Sequence, residues 1–151
     1  MKILITGATG FVGKHLVKYL KDKHKLYILV RSDSDYSSLC VKQAFTFVDN
    51  IDQLAEYLCH EKIDGIIHLA SLYVVEHKSE QLANIYLGTA ILEACKKASV
   101  KWFLNTGTIW QNYDVPDKSD EYNPVNLYAA SKQAFITMAK YYIETSHIRF
   151  C

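Results

Sequence analysis

Short, wholly apolar strands, each running into a helix-period segment, constrain this chain more than any other feature. Lys2 to Thr6 is apolar and β-branched and stops at Gly7, the pattern of a strand buried on both faces. Phe11 to Leu20 follows at helical spacing, with Val12, Leu16, Tyr19 and Leu20 on the predicted core face and Lys14, Lys18 and Lys21 away from it. Further strands are predicted at Leu26–Arg31, Ala44–Val48, Gly65–Leu69 and Lys101–Asn105, and helices at Ile51–His60, within Ser79–Ala98 and over Leu127–Glu144. Ser32–Ser38 and the acidic, proline-bearing Asn112–Pro124 are predicted loops, and Ile148–Cys151 is a sixth strand barely begun. Strand-helix alternation with apolar strands predicts an α/β fold, a doubly wound parallel sheet covered by helices on both faces.

Composition narrows the class. The chain has 151 residues, room for one core, and with 50% hydrophobic and 22% charged residues it is neither disordered nor fibrous. Seventeen Lys and Arg against 16 Asp and Glu leave a net charge of +1 with no basic block, so bulk charge recruits neither nucleic acid nor an anionic membrane. No apolar run is long enough to span a bilayer, and the first residues are too short for a secretory signal. Cys40, Cys59, Cys95 and Cys151 form no CxxC pair; scattered thiols without an export signal predict a cytoplasmic protein. The six histidines show no ligand spacing, and no metal is predicted; His68 is read as a strand-end packing residue rather than a base.

The turn Thr6-Gly7-Ala8-Thr9-Gly10-Phe11-Val12-Gly13 lies between the first strand and the first helix. A dinucleotide pyrophosphate needs a tight turn, close backbone approach and free N–H groups at a helix start. Gly7 can make the turn, Gly10 removes a side chain where phosphate would sit, and Gly13 lets the helix pack closely on the strand; Thr9, Phe11 and Val12 complete the predicted cofactor turn. The second strand ends Val30-Arg31-Ser32, where an acid would select NAD. A guanidinium there pairs well with a 2′-phosphate and Ser32 can add a hydroxyl, which favours NADP, while Asp33 and Asp35 keep NAD as the second choice. Tyr128 and Lys132 are four apart, on one face of the last helix. A phenol is a poor acid-base catalyst at neutral pH, and a nearby ammonium favours its ionised form. Such a pair also arises by accident on a helix surface; its weight comes from its place after the fifth strand of a dinucleotide fold.

The glycine turn, His68-Leu69-Ala70-Ser71 after the fourth strand, and Tyr128-x-x-x-Lys132 together resemble the extended short-chain dehydrogenase/reductase family of sugar-nucleotide epimerases, dehydratases and ketoreductases. The resemblance covers essentially the whole chain and implies a Rossmann-type sheet in the order 3-2-1-4-5. It implies that Asp49 and Asn50 contact adenine, although either could simply cap a helix. Leu69, Ala70 and Ser71 would run past the cofactor ribose, and Asn84 would support the site. Thr106, four residues before Trp110, would bind the substrate oxygen and complete a catalytic set with Tyr128 and Lys132. Thr108 is the alternative hydroxyl, and strand-end capping is the plainer explanation of both. Lys132 would also hydrogen-bond the ribose.

Dehydratases of this family carry an Asp-Glu pair where this chain has Gly107 and Thr108, so a 4,6-dehydratase is disfavoured. A 4-ketosugar reductase of deoxysugar and polysaccharide biosynthesis is expected, with a 4-epimerase or a non-catalytic dinucleotide-binding remnant as alternatives. The run from His68 to Cys95 and the segment Asn105 to Trp110 resemble enzymes that make deoxysugar nucleotides. Family members continue into a smaller domain that binds the nucleotide sugar, whereas this sequence stops at Cys151. Residues 1–151 are therefore expected to be one dinucleotide-binding domain, truncated before the substrate domain. Apolar residues on more than one face of the two long helices (Ile85, Tyr86, Ile91 and Leu92; Phe135, Ile136, Met138 and Tyr142) match the helices that pair across a homodimer in this family.

Overall fold

The computed structural model of the chain describes residues 1–41, 43–46, 49–73, 77–113 and 122–151. The strands are β1 (Lys2–Thr6), β2 (Lys25–Val30), β3 (Gln43–Thr46), β4 (Gly65–His68), β5 (Trp102–Asn105) and β6 (Arg149–Phe150). They form one sheet in the order β3-β2-β1-β4-β5-β6, with every neighbouring pair parallel. The helices are α1 (Phe11–Leu20), α2 (Ile51–Glu61), α3 (Leu82–Lys97) and α4 (Leu127–Thr145). This is the predicted α/β Rossmann-type order, with the sixth strand paired onto β5.

The pleat explains why the strands are apolar throughout. Leu4, Tyr27, Ile66 and Phe103 fall on one face and pack with α2, α3 and α4. Ile3, Ile5, Leu26, Ile28 and Ile67 fall on the other and pack with Val17 of α1. The central strands β1, β2 and β4 therefore feed two cores, and a side chain such as Ile5 or Phe103, fully buried, contributes about 1.5–3 kcal/mol from its removal from water. α3 is apolar on several sides because it touches more than the sheet. At Gly88 it meets α4 so closely that a Cβ would lie 2.5 Å from the Phe135 ring.

Several expectations are corrected. The core face of α1 is Gly13 and Val17, flanked by half-buried Leu16 and Leu20, while Val12 and Tyr19 are exposed. Positions 13, 16, 17 and 20 make the stripe that lies on the sheet, and Val12 sits on the first turn, above the strand ends. β2 begins at Lys25 and ends before Arg31, which opens the following loop, where Ser37–Leu39 make a 3₁₀ turn that buries Leu39. The described part of β3 starts at Gln43 and ends at Thr46; Phe47 and Val48, predicted as its end, lie outside the described residues, as does the 114–121 part of the predicted acidic loop. Cover on the two faces is unequal. Among the described residues, three helices pack on one face and only α1, among helices, on the other, and Leu104 in β5 is 39% exposed. No described helix is long and apolar enough to cross a membrane.

Candidate active site

The site begins where β1 turns into α1. Gly7 has φ 69°, and a Cβ on it would lie 2.7 Å from the Ala70 nitrogen, so the turn is pressed against the chain leaving β4. Gly13 is tighter still: a Cβ would meet the Gly7 carbonyl oxygen at 2.2 Å and the Ala8 Cα at 2.6 Å. The close packing expected of Gly13 is thus against its own turn. Gly10 is different, exposed and with only the Gly7 oxygen near its missing Cβ, at 3.3 Å. It precedes a helix with no side-chain cap and no acid in its first turn. The helix start therefore keeps N–H groups and the positive end of its dipole for an anion, between half-buried Thr9 and exposed Phe11 and Val12.

His68 ties β1 to β4. Its Nδ1 is 2.8 Å from the Thr6 hydroxyl, whose oxygen accepts from the Ala70 N–H at 3.1 Å. Burial holds the ring neutral, its pKa pushed down to about 3 with the Lys132 charge adding to the effect. The histidine is a pin between the turns that follow β1 and β4. Leu69 and Ala70 are half-buried and Ser71 exposed. The next residues are fastened from α3 and the turn before it. Asn84 accepts from the Leu72 N–H at 2.7 Å and donates to the Leu72 carbonyl at 3.0 Å and the Ser131 hydroxyl at 3.2 Å, and Gln81 donates to the Tyr73 carbonyl at 3.0 Å. Asn84 spends its amide on scaffolding.

At the end of β5, Thr106 donates its N–H and its hydroxyl to the His68 carbonyl, at 3.3 and 3.1 Å. Thr108 caps the 3₁₀ turn Ile109–Gln111, accepting from the Trp110 N–H at 3.4 Å. Gln111 accepts from the Thr108 N–H and donates to Gln133 of α4, both at 2.8 Å, which fastens this loop to the last helix. Capping therefore accounts for Thr108, and Thr106 keeps only its oxygen lone pairs free.

Asn126 caps α4 by accepting from the Ala129 N–H at 2.8 Å, and the helix then presents Tyr128 and Lys132 one turn apart. The Lys132 ammonium lies 6.0 Å from the centre of the Tyr128 ring. Lys132 is 3% exposed and, among the described residues, makes no hydrogen bond or ion pair; burial pulls its pKa down to about 8. Half-buried Tyr128 meets Tyr73 edge-on at 5.1 Å and Trp110 at 6.4 Å, and those two rings are 5.5 Å apart. Sequence reasoning used Trp110 only as a landmark and missed Tyr73. An aromatic placed just beyond His68-Leu69-Ala70-Ser71 was the available signal.

The residues assigned to the adenosine end are further out. Arg31 and Ser32 are exposed; the Arg31 guanidinium lies 3.4 Å from Asp33, a surface pair of little energetic weight. Asp35 is committed to its own loop through the Ser37 N–H. Asn50 caps α2, accepting from the Gln53 N–H at 3.0 Å, and Asp49 accepts from the Tyr86 hydroxyl. The structure thus brings Gly7, Gly10, Ala70, Thr106, Tyr128 and Lys132 to the carboxyl ends of β1, β4 and β5, where strand order reverses between β1 and β4. Open α/β sheets bind ligands in that crevice. No group of three or more potential metal ligands occurs among the described residues.

The model of the NAD dependent epimerase/dehydratase family matches residues 3–151. The chain is similar to CDP-abequose synthase of Salmonella muenchen, 31% identical over 156 residues that cover 95% of this chain and 48% of that protein. It is similar to dTDP-D-glucose 4,6-dehydratase of Dictyostelium discoideum, 35% identical over 163 residues, 87% of this chain and 38% of that protein. Its fold resembles the crystal structure of UDP-N-acetylglucosamine 4-epimerase from Bacillus cereus, with a TM-score of 0.84 and 24% identity over 99% of this chain and 56% of that one. The chain spans about half the length of the curated relatives it matches, or less. It belongs to the NAD dependent epimerase/dehydratase family, the extended short-chain dehydrogenase/reductases.

Proposed function

We propose that residues 1–151 form the dinucleotide-binding domain of an NADP-dependent oxidoreductase that reduces a 4-keto group on a nucleotide-linked sugar. The observation that carries this is Lys132, 3% exposed and without a hydrogen-bond or ion-pair partner among the described residues, one helical turn from Tyr128. A buried cation without a partner is costly, and a group that accepts from it, such as a ribose hydroxyl, relieves the cost. The residues fit a dinucleotide: an uncapped helix start at Gly10, a glycine turn pressed on Ala70, and a donor waiting beneath.

Bound NADPH supplies the hydride. Gly7, Thr9, Gly10, Phe11 and Val12 hold the pyrophosphate on the turn and the α1 start. The chain from Leu69 to Ser71 lines the ribose, and Arg31 and Ser32 take the 2′-phosphate. Asp49 and Asn50 face adenine, Asp49 by giving up its bond to Tyr86 and Asn50 through the amide nitrogen its cap leaves free. Tyr128 gives its proton to the ketone oxygen while Lys132 holds positive charge beside the resulting phenolate. Thr106 positions the same oxygen by turning its hydroxyl hydrogen away from the His68 carbonyl. Tyr73 and Trp110 screen the Tyr128 ring from water. Gly107 and Thr108 offer no carboxylate, which weighs against elimination of water, and the likeness to CDP-abequose synthase supports a nucleotide-linked sugar as substrate.

One experiment combines calorimetric titration of NADPH and NADH with an assay of NADPH consumption on CDP-, dTDP- and UDP-4-ketosugars. Charge-assisted bonds contribute about 1.5–3 kcal/mol, so Arg31→Asp should lower NADPH affinity by about ten- to hundred-fold and leave NADH nearly unchanged. Tyr128→Phe should keep binding and lose reduction. Equal losses for the two cofactors would remove the 2′-phosphate assignment. Formation of an epimer without net NADPH consumption would make the protein a 4-epimerase, and failure of the wild type to bind either dinucleotide would leave a non-catalytic remnant.

A further inference from the structure

The side-chain oxygen of Asn105 is buried and has no hydrogen-bond partner among the described residues. Asn105 closes β5, where its backbone is satisfied by donating to the Cys151 carbonyl at 2.7 Å. The pleat puts its side chain on the face of Phe103, and the sheet register sets it beside His68 of β4. His68 in turn feels the Lys132 charge. A bare buried acceptor therefore lies beside the histidine that feels Lys132, a side chain 3% exposed with no bonding partner among the described residues, and the two do not bond each other. Leaving either unpaired costs stability, so the arrangement is poor as packing. The Thr106 hydroxyl, next in the chain, points its hydrogen to the His68 carbonyl and does not serve Asn105.

We infer that Asn105 is a further cofactor-positioning residue, its side-chain oxygen accepting from a hydroxyl of the ribose that Lys132 holds. An ammonium only donates and an amide oxygen only accepts, whereas a hydroxyl does both and a vicinal diol does so twice. A diol is thus the ligand chemistry that satisfies the two groups together, and the terminal ribose of a dinucleotide carries one. The inference rests on the dinucleotide reading above. It adds a residue on β5 to the ribose site and makes that ribose the part of the cofactor that Asn105 senses.

The test compares ADP, ADP-ribose and NADH, by calorimetry, on the wild type and on Asn105→Leu, which keeps the volume and removes the acceptor. Asn105→Leu should unfold at the same or a higher temperature than the wild type without ligand. It should bind ADP as before and lose about three- to tenfold in affinity for ADP-ribose and for NADH. Asn105→Asp, which retains an acceptor, should lose less than the leucine variant, and Asn105→Ala stands in if leucine does not fit. Equal weakening of ADP and ADP-ribose, or no weakening of either, would overturn the inference. So would a lowered unfolding temperature of ligand-free Asn105→Leu, which would mean that an ordered water already satisfies the amide. A wild type that binds none of the three would instead sink the dinucleotide reading itself.

Discussion

Lys132 is a cation on a side chain only 3% exposed, with no hydrogen-bond or ion-pair partner among the described residues, and that has a measurable consequence before any ligand is added. Its pKa in the folded chain, about 8, lies below the ordinary 10.5 because burial penalises the charged form. Between those values the unfolded chain holds a proton that the folded chain has released, so stability rises with pH through this window. The penalty is present in full below pH 8 and worth about 3 kcal/mol. Lys132→Met should therefore be more stable than the wild type at pH 7, with the difference shrinking toward pH 10, while cofactor affinity falls. Urea unfolding of both proteins at the two pH values checks this; a methionine variant no more stable at pH 7 would show the ammonium to be solvated.

At the scale of elements, the β1–α1 turn separates packing from binding. A Cβ at position 13 would strike backbone atoms at 2.2 and 2.6 Å, which cannot swing aside as a side chain can. Gly13→Ala should cost about 1–3 kcal/mol or more, the range for forcing extra volume into a packed site. Position 10 has extended backbone, with φ −74°, and a single neighbour at 3.3 Å. Gly10→Ala should stay within about 1 kcal/mol of the wild type, yet lose dinucleotide affinity because its methyl enters the space above the helix start. Thermal unfolding and NADPH titration of the two variants separate the effects. Equal stability losses would mean that both glycines serve the fold.

For the whole molecule, the uneven cover of the sheet points to self-association. Leu104 is exposed in the middle of β5, and β6 presents an edge without a partner strand among the described residues. A second apolar surface runs along α3 and α4, where Tyr86, Met138, Tyr141 and Ile143 are exposed although Phe135 and Tyr142 are buried between elements of the same chain. A homodimer of the kind expected from the two long helices would bury this surface. Light scattering behind sizing chromatography should show association in the wild type that Met138→Lys abolishes. Loss with Leu104→Lys alone would assign the contact to the open sheet face, and a monodisperse wild-type monomer would remove the dimer.

How far the sequence reached depends on the range of each interaction. The alternation of apolar strands and helices, the glycine turn and the helical spacing of Tyr128 and Lys132 are short-range patterns, and periodicity determines them before the chain is folded. Resemblance supplied Thr106 and Asn84 by position. Which face of α1 is buried, the joining of Thr6, His68 and Ala70, the aromatic pair around Tyr128 and the bare oxygen of Asn105 all arise where β1, β4 and β5 come into register and bring distant loops together. Charge is gathered in part the same way: Lys2 and Lys62 join the local cluster Lys21, Lys23 and Lys25, with Asp22 and Asp64 among them, at the opposite end of the sheet. Local propensity determined the elements, and only the tertiary structure decided which polar groups are buried without partners, because burial and pairing are set by contacts across strands that no short window of sequence contains.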